Sequence, residues 1–142
     1  MLSNQNKYAI QGVLYLAMHA SEKKKMGSAE VSRATHIPPS FLAKIFQKLS
    51  KQGLIRSAKG PSGGFYLTDN EKQMGLLDII EAIDGLGYFE QCFMGLKACN
   101  NEQPCAIHDL LAPSRDLLLQ DLQRKTIGEI AANTEKGQNL FY

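Results

Sequence analysis

The sequence predicts a mainly α protein with one small β-hairpin, an α+β class, and three observations carry that prediction. Apolar residues recur at i, i+3, i+4 spacing in separate segments before residue 85. The glycine- and proline-containing run Lys59 to Gly64 divides two short β-forming segments. Farther on, Leu110 and Leu117, and Leu111 and Leu118, lie one heptad apart in a leucine-rich stretch.

With 142 residues the chain is about one domain long, too short for a large enzyme with a second domain. Hydrophobic residues at 44% and charged residues at 21% fit an ordinary globular protein and set disorder aside. Tyr8 to Met18 is apolar, but Gln11 and Gly12 interrupt it and it is too short to span a bilayer. Three cysteines cannot all pair within one chain, which favours a reduced compartment. A cytoplasmic protein with no membrane partner is expected.

The net charge of +2 conceals an asymmetry. Residues 1 to 68 carry ten Lys/Arg and two acidic residues, whereas residues 69 to 142 carry six and twelve. A basic front half points to a polyanion as partner.

In chain order, Ile10, Val13, Leu14 and Ala17 mark a first helix over residues 7 to 20. Ser28 is placed to cap a second over 29 to 35, which His36-Ile37-Pro38 breaks. Pro39 and Ser40 suit the first turn of a third helix, where Phe41, Leu42, Ile45, Phe46 and Leu49 form the core stripe. Ser40, Lys44, Gln47, Lys48 and Lys51 fall on the other face, with no acid among them. Gly53 is placed to end the helix in a left-handed conformation.

Leu54 to Ala58 and Phe65 to Thr68 read as the strands of a hairpin. Two helices joined by a tight turn, then a hairpin with a glycine-rich tip, make a winged helix-turn-helix. Candidate DNA-binding residues are Ser28, Pro39, Ser40, Lys44, Gln47 and Lys48 on the helices, and Arg56, Lys59, Pro61, Ser62 and Gly63 on the wing. A further helix spans residues 76 to 84 and Gly85 ends it.

All three cysteines then appear between Cys92 and His108. Cys92, Cys99, Cys105 and His108 are a complete four-ligand set for an iron-sulfur cluster or a zinc ion. Pro104 suits the first position of a helix that carries Cys105 and His108 on one face and lowers the Cys105 pKa through its dipole. Other uses of the same residues are a metal-free thiol redox switch and a Cys105 nucleophile with His108 as base. No orienting group, phosphate loop or carboxylate pair accompanies that dyad, so the chain does not read as an enzyme.

Leu110, Leu111, Leu117, Leu118 and Leu122 make a long helix suited to dimerisation, which Pro113 is expected to kink or restart. Thr126-Ile127-Gly128-Glu129 is a capping box opening a short last helix. The organisation expected is a DNA-binding region over 1 to 85, a ligand loop over 86 to 109, and a dimerisation helix with a C-terminal tail over 110 to 142.

Several segments carry a family resemblance: Lys7-Tyr8-Ala9-Ile10, Phe41-Leu42 with Leu49, Gly53-Leu54-Ile55, the wing Lys59 to Phe65, Leu77 to Gly85, the three cysteines, and Thr126 to Ile130. On these the chain resembles the iron-sulfur and nitric-oxide responsive winged-helix regulators of bacteria, of the IscR, NsrR and RirA type. The resemblance implies a homodimer that binds a palindromic operator in double-stranded DNA, and a repressor is the regulator expected. It also implies that Cys92, Cys99 and Cys105 hold an iron-sulfur cluster. Some relatives take the fourth ligand from the partner's first helix, where this chain has Lys7. Others use the histidine after the third cysteine, here His108, which favours a 2Fe-2S cluster. A 4Fe-4S cluster stays open, because six residues separate Cys92 from Cys99 where the histidine-ligated relatives tend to have one fewer. Structural zinc and the metal-free thiol switch remain the alternatives.

Overall fold

Ser3 opens the first helix by accepting the Asn6 N–H at 3.1 Å, and α1 runs from there over Asn4–His19. Its Ala9, Val13, Leu14, Leu16 and Ala17 are buried, so α1 is the post around which the molecule packs. The computed structural model describes residues 2 to 95 and 99 to 135. Leu140, Phe141 and Tyr142 of the expected C-terminal tail lie outside the described residues.

Helix α2 spans Ser28–Thr35 and follows Gly27, so Ser28 is the first helical residue and not the cap expected of it. It ends at His36, whose backbone is left-handed at φ 58°. Helix α3, Pro39–Lys51, has Pro39 in its first turn, where a missing N–H costs nothing. Leu42, Ile45, Phe46 and Leu49 are its buried stripe. Phe41 departs from the expected stripe: it is 48% exposed and meets the Tyr8 ring edge-on at 6.1 Å. One residue before Leu42, it is rotated off the core face by about 100°. Gly53 ends α3 at φ 75°: its own N–H bonds Ser50 O and the Leu54 N–H bonds Leu49 O. Only glycine adopts that φ without strain.

The wing is an antiparallel pair, β1 (Arg56–Ala58) and β2 (Gly64–Tyr66), in the register Arg56 to Tyr66. Both strands are shorter than expected. Leu54 is still engaged in closing α3, and Thr68 already belongs to the next turn. Met26 adds one more rung by exchanging both backbone hydrogen bonds with Phe65, at 2.8 and 3.0 Å. A side chain on Gly64 would collide with Met26 backbone atoms at 2.8 Å, which explains glycine there. The Phe46 and Phe65 rings, 5.0 Å apart, lock wing to α3.

A 3-10 turn at Glu71–Gln73 leads to α4, Leu76–Asp84, which buries Leu77, Ile79, Ile80 and Ile83. A short α5, Gly87–Glu90, precedes the cysteine loop. Helix α6 then begins at His108 and reaches Arg124, running through Pro113 without the restart that proline suggests. Only one intrahelical hydrogen bond is lost at that position. Pro104 and Cys105 do not open α6, contrary to the sequence expectation. Ile107 has non-helical angles and accepts the Leu110 and Leu111 N–H groups, so the first turn starts after it.

Thr126 and Glu129 close the expected capping box at 3.1 and 3.2 Å and open α7, Ile127–Glu135. Helix α7 does not trail away. Its Ile127 and Ala131 are buried in the same core as α1. Backbone bonds from Leu76 to Lys125 O and from Ile127 to Met74 O join the starts of α4 and α7. Helix α6 is about 25 Å long, and its C-terminal end is tied to the start of α4 by the Leu76 to Lys125 bond. Among the described residues no helix is long and apolar enough to cross a membrane.

Candidate nucleic-acid interface and cysteine site

The polar face of α3 and the wing tip carry the candidate DNA-binding residues. Pro39, Ser40, Lys44, Gln47 and Lys48 are exposed along α3, and Ser28 at the start of α2 is half-buried. On the hairpin Arg56, Lys59, Pro61 and Ser62 are exposed and Gly63 is half-buried. The Gly63 N–H bonds Gly60 O at 2.9 Å, which folds the tip into a tight turn.

Two of these cations have partners inside the protein. Lys48 Nζ donates to Ile83 O at 2.8 Å, at the C-terminal end of α4. Arg56 Nε donates to Glu71 Oε1 at 2.8 Å while its side chain stays half exposed. Burial opposes the charge on Glu71. Hydrogen bonds from the Thr68 hydroxyl, Arg56 and the Thr68 N–H outweigh it and hold the carboxyl at about 2.

The cysteines lie in the loop between α5 and α6. Cys92 is buried, Cys99 and Cys105 are half-buried, and all three are thiols. Cys99 Sγ is 3.3 Å from His108 Nδ1, and His108 Nε2 is 2.8 Å from Asn101 Oδ1. With Asn101 Oδ1 accepting from Nε2–H, the lone pair of Nδ1 faces Cys99. The Cys99 N–H bonds Glu90 O at 2.9 Å and ties the loop to α5. A cavity of about 450 Å³ is lined by Cys92, Cys99, Phe89, Leu111, Arg115 and Leu118. Arg115 pairs with Asp116 at 2.9 Å and interacts with Cys99, both of which raise its pKa.

The structure therefore brings Cys99 and His108 together and sets Cys92 on the same cavity. Cys105 joins through the backbone, where its carbonyl accepts the His108 N–H at 3.0 Å. Among the described residues no three His, Cys, Asp or Glu side chains are close enough to hold a metal ion. In donor chemistry the residue types fit: two soft thiols line one cavity, one of them beside an imidazole nitrogen, and a third thiol stands three residues from the histidine.

Leu110, Leu117 and Leu118 are 72%, 56% and 49% exposed on α6, while Leu111 and Leu122 are half-buried. Phe93 and Met94 of the loop are also exposed, at 81% and 58%.

The model of the Rrf2 family, described as iron-dependent transcriptional regulator, matches residues 2 to 133. The chain belongs to the Rrf2 family. Among curated relatives, this Rrf2 chain is 31% identical over 134 residues to the HTH-type transcriptional regulator IscR of Cronobacter sakazakii, covering 94% of this chain and 82% of that one. It is 29% identical to IscR of Pectobacterium atrosepticum, covering 94% and 80% of the two chains. A putative HTH-type transcriptional regulator of Aquifex aeolicus is 33% identical over 110 residues, or 76% of this chain and 75% of the other. These relatives are transcriptional regulators and not enzymes.

Solved structures share the Rrf2 chain's fold. CymR, the global cysteine regulator of B. subtilis, superposes with a TM-score of 0.75 at 20% identity, covering 94% of this chain and 98% of its own. IscR of T. potens gives 0.74 at 19% identity, covering 98% and 91%. The winged helix-turn-helix expected from the sequence is the fold observed, and this Rrf2 chain is a DNA-binding transcriptional regulator.

Functional residues not anticipated from sequence are Glu71, Asn101 and Arg115. Glu71 had a signal, since Thr68-Asp69-Asn70-Glu71 has the capping-box spacing. Asn101 and Arg115 had none, because their roles arise only when the loop folds back on α6.

Proposed function

We propose that this Rrf2 regulator is an operator-binding repressor, a homodimer whose affinity for a palindromic site in double-stranded DNA is controlled by an iron-sulfur cluster. The observation that carries the reading is the pair Cys99 and His108, 3.3 Å apart beside Cys92. It stands between a basic DNA-reading face and a leucine-bearing helix. Cys92, Cys99 and Cys105 as thiolates and His108 through Nδ1 would hold the cluster, with the 2Fe-2S form favoured over 4Fe-4S. When bound, such a group supplies a charge and a set of bonds that respond to oxidants, nitric oxide or iron supply.

On the output side, Ser40, Lys44 and Gln47 face the major groove from α3, with Ser28 and Pro39 at its approach. Lys59, Pro61, Ser62 and Gly63 lie over the adjoining minor groove. Arg56, oriented by Glu71, keeps its outer nitrogens for phosphate. Phosphate contacts supply affinity and contacts to base edges supply sequence choice. On the assembly side, Leu110, Leu117 and Leu118 give α6 an apolar face for a second copy, continued by Leu111 and Leu122. Ordering of the loop from Cys92 to Cys105 against α6 then biases the placement of two winged helices on DNA.

A second reading is a metal-free thiol switch. It is favoured by the position of Cys99, whose sulfur has the His108 imidazole on one side and the Arg115 guanidinium on the other. Anaerobic purification with a visible spectrum and iron, sulfide and zinc analysis separates the readings. Brown protein with iron and sulfide supports the cluster. Colourless protein with stoichiometric zinc supports a structural metal site, and metal-free protein with oxidant-dependent DNA binding supports the thiol switch.

A further inference from the structure

We infer that Lys48 is a positioning residue that holds the recognition helix to the end of α4 and thereby to the cysteine loop, an inference that rests on the operator-binding function proposed above. A helix leaves its last four carbonyls without intrahelical partners, and two of those of α4, Ala82 O and Ile83 O, meet side chains from the end of α3. Lys48 Nζ donates to Ile83 O at 2.8 Å, and Gln52 Nε2 points at Ala82 O at 3.5 Å. Lys48 in the last turn of α3 and Gln52 at its C-cap thus lie over two successive orphan carbonyls of α4. The ammonium also sits at the negative end of the α4 dipole, where a cation is favoured.

The same helix end is gripped from the other side. Asp84, the last residue of α4, accepts hydrogen bonds from Asn6 Nδ2 of α1 at 2.7 Å and from the hydroxyl of Ser3, the cap of α1. Immediately beyond it come Gly85, α5 and Cys92, with the Cys99 N–H returning to Glu90 O. A continuous path thus leads from Cys99 through α5 to the end of α4 and from there, through Lys48, to α3. Ser40, Lys44 and Ile83 line one crevice, so a shift of the α4 end displaces the surface that offers Ser40 and Lys44 to DNA.

The test uses the full chain with Lys48→Met, Lys48→Arg and, as a phosphate-contact control, Lys44→Met. Without DNA, Lys48→Met speeds hydrogen exchange at the Gly85 and Cys99 amides about five-fold, leaves α1 unchanged, and Lys48→Arg restores protection. Unchanged exchange at Gly85 and Cys99 overturns the inference. On operator DNA, Lys44→Met lowers the salt slope by about one, whereas Lys48→Met keeps the wild-type slope. A slope lowered equally by Lys48→Met makes Lys48 a phosphate contact and also overturns it. Because the exchange arm needs neither DNA nor metal, it decides the role of Lys48 even where wild-type protein fails to bind the operator, an outcome that counts against the functional reading alone.

Discussion

His108 Nδ1 faces Cys99 Sγ at 3.3 Å because Asn101 takes the other ring nitrogen at 2.8 Å. With Asn101 Oδ1 accepting from Nε2–H, one loop residue orients the imidazole and leaves Nδ1 as the acceptor towards Cys99, as the outer partners of metal-binding histidines do. Asn101→Ala is expected to weaken retention of bound metal about 10- to 100-fold in a chelator competition. Equal retention in variant and wild type would show that His108 does not need this orientation.

The wing arginine depends on a buried acid. The Glu71 pKa falls from 4.5 to about 2 on folding, so its contribution to stability is complete above 4.5 and is lost as pH falls towards 2. Glu71→Gln should lower stability at neutral pH by about 1 to 3 kcal/mol and flatten the acid limb of the stability profile. Urea unfolding between pH 2 and 7 checks this, and an unchanged acid limb in the variant would rule out Glu71 as the group responsible.

Phe46 is completely buried and packs on Phe65 of the wing. Truncation by Phe46→Ala is expected to cost about 3 to 5 kcal/mol. Tyr8→Ala, at a half-buried ring on the rim of the core that meets exposed Phe41 edge-on, should cost less. Denaturant midpoints of the two variants test the ranking.

His36 holds a left-handed backbone at φ 58° between α2 and α3. Glycine reaches that conformation without the side-chain penalty, so His36→Gly should raise stability by about 0.5 to 1 kcal/mol. A lower melting temperature would mean that the His36 ring contributes more than its backbone strain removes.

Much of this architecture was legible because it is local. The stripe from Leu42 to Leu49, the left-handed stop at Gly53 and the capping box of Thr126 and Glu129 are each written within a few residues, where helix period and cap chemistry act. What escaped is long-range or irregular. Nothing in the periodicity near Lys48 reveals a carbonyl 35 positions later, and nothing near Ile127 reveals that α7 returns to α1. The start of α6 was misplaced because Pro104 offers a good first-turn residue, while the non-helical angles at Ile107 follow from the loop's own folding. In the cysteine site the residue types were legible from spacing alone. The asymmetry was not: Cys99 is beside His108, whereas Cys105 lies off the cavity.

The most direct test of the central claim is operator affinity measured anaerobically for wild-type protein and Cys99→Ala, with iron and sulfide determined on the same samples. Loss of iron and sulfide in the variant, together with a change in affinity of about 5- to 150-fold, is the expected result. Unchanged affinity in a variant that has lost its iron and sulfide would contradict control of DNA binding by this site.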